Sequence, residues 1–399
     1  MGDGPPELQE QIGVASRRGT LVDLARLFLR LGAIGFGGPA AHIALMEDEF
    51  VRRRRWLSAG EFLDLLGATN LIPGPNSTEM AIHIGRQRAG WPGLLVAGCC
   101  FIAPAFMITL VFAWAYVRYS SLPAIEGLLY GIKPVIVAVV VQALWKLGQS
   151  AVKDAFLGVV GIGAAILEVS GVNELAILAG AGLFVAIARI LGRPHPRPAA
   201  AAVVAAPLPK LLVLAGVGAG AAAPFSLSTL FLFFLKVGSV LFGSGYVLLA
   251  FLRADLVDRW HWLTESQLLD AVAVGQFTPG PVFTTATFIG YLLGGTPGAF
   301  LATIGIFLPA FVFVAVSAPL VARLRRSAVA GRFLDGVVVA SMALLLVVAW
   351  HLGRAALVDL STVVLALAAL AALYRYQISS VWLVAAGAAA GVALQLLRG

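Results

Sequence analysis

The chain contains few charged residues and few residues that bind metals. Only 12% of its 399 residues are charged, against roughly 25% in a soluble domain, and the mean hydropathy is +0.94. So little polar surface cannot cover a globule in water, which indicates a polytopic membrane protein embedded in a lipid bilayer. The two cysteines, Cys99 and Cys100, are adjacent in an apolar run, which argues against a disulfide framework and a structural metal site.

Several enzyme motifs are also missing. The sequence has no P-loop, no dinucleotide-binding fingerprint and no GxSxG motif. We therefore expect that the protein binds no cofactor, does not hydrolyse ATP and is not an enzyme. Its 28 Lys and Arg outnumber 20 Asp and Glu, an excess that belongs to cytoplasmic loops rather than to a nucleic-acid site. No apolar core precedes a cleavage site in the first twenty residues, and Arg17 and Arg18 predict a cytoplasmic N-terminus.

Apolar segments bounded by glycine, proline and charged residues fill the rest of the chain, and they predict an all-α fold. Six lie in the first half of the chain, six in the second, and one short run lies between them. They cover residues 22–46, 61–86, 93–117, 128–148, 154–169 and 173–191, then 208–223, then 226–250, 267–291, 297–321, 332–352, 357–373 and 379–397.

The second half of the chain repeats the first. Phe28–Gly32 recurs as Phe234–Gly238, and Pro73–Pro75 recurs as Pro279–Pro281, in both cases 206 residues later. One register kept over so many residues indicates a duplicated transporter. The predicted organisation is an N-terminal segment 1–20, a first repeat 21–191, a Pro/Ala-rich linker 192–225 with one extra transmembrane segment, and a second repeat 226–399.

Loop charges predict that the two halves are inverted relative to each other. Arg52–Arg55 is strongly basic, whereas its counterpart at 253–259 is balanced; the bias reverses at 323–332, which holds four arginines. Complementary charge in matching loops is what the positive-inside rule predicts for inverted repeats. For the basic loops of the first half to share one face, segments 22–46 and 61–86 must bend back. We therefore expect re-entrant or broken helices there and in their repeats.

The expected bends coincide with glycine and proline motifs. Gly35–Pro39 and Pro73–Pro75 free backbone groups that cost several kcal/mol in hydrocarbon unless they line a cavity or pack in protein. Each break also exposes a half-helix N-terminus worth roughly +0.5 charge, which favours an anion. A lone motif would indicate only a kink, but duplicated breaks favour a substrate site. The predicted substrate-binding residues are Arg30, Lys236, Gly37, Gly38, Gly243, Ser244, Asn70, Gln276, Asn76, Ser77, Thr78, Thr284 and Thr285.

Two cations lie inside apolar segments at equivalent positions. Arg30 and Lys236 would neutralise a divalent anion near the membrane centre, or else extend to the interface. The equivalent amides Asn70 and Gln276 would complete the hydrogen bonds of that anion, or else cap the breaks.

One carboxylate–imidazole pair occurs only in the first half. Glu79 and His83 are four residues apart, where the second half has Thr285 and Ile289. The pair suits proton carriage, and a packed ion pair is the alternative. His42, with Glu47 and Asp48 shortly after it, suggests a cation site. The spacing of these candidate ligands is loose, however, so we expect no bound metal.

These motifs resemble those of the chromate ion transporter family. The resemblance rests on Gly35-Phe-Gly-Gly-Pro-Ala-Ala-His-Ile43, Trp56-Leu57, Pro73-Gly-Pro75 and their repeats Phe242-Gly-Ser-Gly-Tyr-Val-Leu-Leu249 and Gln276-Phe-Thr-Pro-Gly-Pro281. It implies a secondary transporter of the bacterial inner membrane that exports chromate, with sulfate as an analogue, driven by the membrane potential.

The residues leave several alternatives open. Transport of sulfate or another oxyanion, a lipid-phosphate phosphatase, and a cation transporter using Glu79, His83 and His42 are the rival functions. Proton coupling is also open. The glycine-rich face Gly216–Gly220 suits a homodimer contact or ordinary packing.

Overall fold

The computed structural model describes residues 6–36, 38–119, 123–191, 224–242, 245–317, 327–376, 378 and 380–398. These residues form helices joined by short connections, without a strand among them. The first half contains α1 (Pro6–Ile34), α2 (Gly38–Glu47), α3 (Ala59–Thr69), α4 (Asn76–Tyr119), α5 (Pro123–Ala151), α6 (Ala155–Val169) and α7 (Glu174–Leu191). The second half contains α8 (Leu227–Val240), α9 (Leu248–Phe251), α10 (Glu265–Phe277), α11 (Thr285–Ser317), α12 (Ala328–Ala356), α13 (Leu360–Arg375) and α14 (Ser380–Arg398).

Most of these helices suit a membrane. Within the described ranges, six are long and apolar enough to cross a bilayer, and α6, α8 and α13 are shorter apolar helices. Apolar side chains on the outer surfaces of α6 and α7, such as Val159, Ile162 and Ile187, are exposed rather than packed, as expected for helices in a bilayer. The protein is therefore an all-α polytopic membrane protein. The linker and the predicted extra span at 208–223 lie outside the described residues.

The start of each short helix that precedes a Pro-Gly-Pro break is fixed by the local sequence. At the start of α3, the Ser58 side chain accepts a hydrogen bond from the Glu61 backbone N–H, and the Glu61 side chain accepts one from the Ser58 backbone N–H. Thr264 and Gln267 form the same capping box at the start of α10. Both helices end before the break, at Thr69 and at Phe277. The helices thus break where the proline and glycine motifs predict.

The long helices α4 and α11 are hairpins rather than straight rods. Non-helical backbone at Ala89 and Gly90 lets Gly93 lie against Gly85, which a straight helix would hold about 12 Å apart. In α11 the corresponding turn is at Gly294 and Gly295. The first leg of α4, residues 76–88, is about 20 Å long, so it reaches only part of the way across a 30 Å hydrocarbon core.

The two halves are intertwined. α6 and α7 of the first half pack on α12 of the second, and α13 and α14 of the second half pack on α5 of the first. Small residues allow this close approach, as where Gly131 meets the Gly387 carbonyl and Gly336 meets the Ala181 carbonyl. Reciprocal contacts of this kind are expected when a two-fold axis relates two halves. The inverted orientation of the halves stays a prediction.

Candidate functional site

The broken segments of the two halves meet each other. The Gly74 amide, with φ of 143°, donates a 2.8 Å bond to the Leu241 carbonyl, and the Gly280 amide, with φ of 92°, donates a 2.7 Å bond to the Gly35 carbonyl. Each bond therefore joins a Pro-Gly-Pro break in one half to the first break of the other half. Gly38 begins α2 with a positive φ. The predicted residues Gly37, Gly243 and Ser244 lie outside the described residues.

The first leg of α4 places three polar side chains beneath this junction. Ser77, Thr78 and Glu79 occupy its first turn, and all three are buried. The His42 ring of α2 donates from Nε2 to the Gly35 carbonyl at 2.8 Å. Burial of the ring favours its neutral form, and with the proton on Nε2 the Nδ1 atom then accepts from the Ser77 hydroxyl at 3.2 Å. His42 and Ser77 thus tie the break after α1 to the start of α4.

Four buried polar atoms in this leg have no hydrogen-bond partner. They are Thr78 Oγ1, both carboxyl oxygens of Glu79, and His83 Nε2 one turn further along. Buried polar groups in folded proteins are almost always paired with protein groups, ordered water or a ligand, so this cluster marks a place where a polar ligand or water is expected. In the described part of the chain, Glu79 alone has a carboxyl group with both oxygens buried and unpaired.

The Pro73–Pro75 loop lies directly on the Glu79 carboxyl. A Cβ atom on Gly74 would overlap Glu79 Oε1, and it would come within 3.7 Å of the Ala310 side chain on α11. Glycine therefore lets the loop backbone lie against the acid, whereas the distance to Ala310 is an ordinary contact. We call the set His42, Ser77, Thr78, Glu79 and His83 the first-half polar cluster.

In the equivalent region of the second half, the residues are either polar with hydrogen bonds inside their own turn or apolar. Thr284 donates to the Pro281 carbonyl at 2.9 Å, and Thr285 donates to the Val282 carbonyl at 2.8 Å. Leu248 and Ile289 replace the two histidines, and both are buried apolar residues. Thr284 and Thr285 were predicted as free donors, yet their hydroxyl protons are already used. Among the described residues of the junction, the buried polar atoms without a partner lie in the first half.

The predicted amides flank the breaks. Asn76 Nδ2 donates to Asn70 Oδ1 at 2.7 Å, which closes the loop around Pro73–Pro75. Gln276, the counterpart of Asn70, is buried at the end of α10. The capping alternative for Asn70 therefore has direct geometric support, through its bond with Asn76.

The two predicted cations differ in environment. The Lys236 ammonium donates to the fully buried Asp255 carboxylate at 2.7 Å, and Arg259 forms a second ion pair with the same carboxylate. Arg30 is exposed on α1. Lys236 is thus paired within its own half, with a carboxylate that it shares with Arg259.

The structure also reveals charged contacts between the halves that motif analysis missed. Lys133 of α5 forms a 3.2 Å ion pair with buried Asp270 of α10, and the Tyr116 hydroxyl donates to Asp270 at 2.9 Å. In α4, the Arg86 side chain donates two 2.6 Å hydrogen bonds to the backbone carbonyls of Val314 and Ala315 in α11. A charge inside an apolar segment is the signal that would have found them.

The unpaired atoms of the first-half polar cluster lie close to the contact between the two halves. Among the described residues no group of three or more His, Cys, Asp or Glu side chains is placed to hold a metal ion. The family model described as Chromate transporter matches residues 22–221 and 228–392. The chain belongs to the chromate transporter family.

Relatives within this family are similar along most of the chain. A chromate transport protein of Cupriavidus metallidurans is 32% identical over 372 residues, covering 93% of this chain and 92% of the relative. A probable chromate transport protein of Synechococcus elongatus is 30% identical over 353 residues, covering 88% and 89%. A chromate transport protein of Pseudomonas aeruginosa is 31% identical over 291 residues, covering 72% of this chain and 70% of the relative. No solved structure matches the chain.

Proposed function

We propose that this protein exports chromate across the bacterial inner membrane, with the N-terminus in the cytoplasm and the two repeats inverted. Support for the substrate class comes from the family and from relatives that carry the name chromate transport protein. The observation that carries the proposal is the pair of buried side chains Thr78 and Glu79, whose oxygens have no partner, at the start of a half-helix, where an oxyanion is favoured.

The proposed binding site lies at the junction of the breaks. The α4 N-terminus and Thr78 would bind the anion, and Asn76 and Ser77 border the same turn. Arg30 and Lys236 stay predictions as neutralising charges, and Glu79 and His83 as proton carriers. Because the unpaired atoms are sealed from solvent, the breaks must move to admit the anion from either face, as alternating access requires.

The membrane potential is sufficient to drive export of a dianion. With the inside negative, one charge is worth about 2.3 kcal/mol per 100 mV, so chromate gains roughly 4.6 kcal/mol on leaving. This corresponds to about three decades of concentration ratio.

Chromate uptake into everted membrane vesicles from producing cells tests the proposal. We expect saturable uptake that sulfate inhibits by competition and that falls when the potential is collapsed. Uptake equal to that of vesicles without the protein would contradict chromate export. Sulfate uptake without chromate uptake would change the substrate, and release of phosphate from lipid phosphates by the purified protein would favour the phosphatase alternative.

Thr78 and Thr284 provide a matched pair of substitutions in this assay. Thr78→Val removes a hydroxyl that has no partner in the protein, so we expect a five- to tenfold higher half-saturating chromate concentration, about 1–1.4 kcal/mol, with unchanged thermal stability. Thr284→Val removes a hydroxyl that bonds the Pro281 carbonyl, so it should lower stability and leave the half-saturating concentration unchanged. Equal effects on chromate affinity would contradict a site confined to the first half.

A further inference from the structure

The Glu79 carboxyl is an unusual group to find at an anion site. Both of its oxygens are buried without a donor, and the Gly74 backbone lies directly against Oε1. An ionised carboxylate without hydrogen-bond donors or a cation is strongly disfavoured in such a place. The group is therefore held as the neutral acid, which has an O–H to donate.

The ionisable groups around Glu79 do not supply a counter-charge. The rings of His42 on α2 and of His83, one turn along the same leg, are both buried, which favours their neutral forms. Arg86, further along this leg, is bonded to backbone carbonyls of α11.

The other elements packed against this leg add none. The charged side chains of α1 and α3 that the structure describes are exposed: Asp23, Arg26, Arg30, Glu61 and Asp64. The second leg of α11, from Thr296 to Ser317, contains no titratable residue. In the second leg of α4, the thiols of Cys99 and Cys100 carry no positive charge, and Tyr116 bonds Asp270 at the far end.

We propose that Glu79 binds the oxyanion as a neutral acid that donates a hydrogen bond to it, so that one proton crosses the membrane with each anion. The inference rests on the proposed function. An ionised Glu79 within about 8 Å would weaken binding of a dianion by on the order of a thousandfold. For this coupling the empty site must turn back only after Glu79 has lost its proton to water on the side where the anion is released. The α4 N-terminus, worth roughly +0.5 charge, then lies beside the ionised carboxylate, and Glu79 regains a proton on the side where the next anion is loaded.

Proton coupling of this kind has a consequence for energetics. A dianion that moves with one proton carries a net charge of minus one, so the potential acts on half the charge that uncoupled chromate would carry. A pH gradient alone then drives transport: at zero potential, a difference of one pH unit sustains about a tenfold concentration ratio of anion.

Reconstitution of the full-length protein in liposomes tests the proposal, with radioactive chromate as the probe and the potential clamped at zero. With the outside acidic, we expect the natural protein to accumulate chromate inside. Glu79→Gln keeps the size and an N–H donor but carries no proton. It should therefore still exchange internal for external chromate, yet lose accumulation driven by the pH gradient. Glu126→Gln, at an exposed position on α5, should accumulate chromate like the natural protein.

Three results would overturn the inference. The first is that Glu79→Gln accumulates as much chromate as the natural protein. The second is that Glu79→Gln folds but cannot exchange chromate. The third is that chromate enters without protons. The last is measured on the natural protein with a pH-sensitive dye in the lumen, at an alkaline pH where free chromate is the dianion. We expect one proton to enter per chromate. If the natural protein exchanges no chromate at any pH, the proposed function itself is wrong.

Discussion

Gly85→Val is expected to prevent folding of the α4 hairpin and to abolish transport. A Cβ atom at Gly85 would overlap the Gly93 carbonyl oxygen and the Ala97 side chain, and the backbone atoms at this contact have no room to move. Overpacking of a buried contact costs about 1–3 kcal/mol or more, and here two helix legs must separate. The members of the first-half polar cluster on α4 would lose their positions, since they lie on its shorter leg.

The measurement is thermal stability in detergent together with the yield of protein in the membrane. Gly290→Val in α11 should have the same effect, because a Cβ atom there would overlap the Gly298 carbonyl. Gly163→Val is the matched control: this glycine is also helical, and a Cβ atom on it meets no other atom within 4 Å. Equal melting temperatures for Gly85→Val and Gly163→Val would show that the hairpin contact is not required.

Much of the fold could be predicted from the sequence because the membrane imposes strong constraints. Apolar segment length predicts helices that span the bilayer, and Pro73–Pro75 and its repeat predict breaks where the helices do end. The turns inside α4 and α11 were less evident. The Gly90 and Gly295 turns lie near predicted segment boundaries, so the sequence indicates a connection but not that the two legs pack against each other.

The candidate site could be predicted only in part, because hydrogen-bond partners come from distant segments. Repeat-equivalent residues suggested a symmetric set of donors. The structure instead uses the hydroxyls of Thr284 and Thr285 within their own turn and leaves Thr78 unpaired. Sequence spacing identified Glu79 and His83 as unusual, but not that the Glu79 carboxyl lies beneath Gly74. Contacts between halves, such as Lys133 with Asp270, depend on how α5 packs against α10.

Asp255→Asn is expected to destabilise the protein by about 3–5 kcal/mol. The substitution leaves Lys236 and Arg259 around a buried position that no longer has a negative charge, and removal of one member of a buried ion pair is costly. Lys236→Gln should cost less, since Arg259 still neutralises Asp255. Thermal unfolding of the single variants and of the double variant measures the coupling between the two residues.

The double variant Lys236→Gln/Asp255→Asn also decides the role of Lys236. Because it removes one positive and one negative charge together, we expect it to recover more than half of the stability lost in Asp255→Asn. If the lysine serves only this ion pair, chromate transport should recover as well. If Lys236 neutralises the substrate, as its position inside an apolar segment predicts, stability should recover while the half-saturating chromate concentration stays more than about tenfold higher. A double variant no more stable than Asp255→Asn would show instead that the carboxylate mainly serves Arg259.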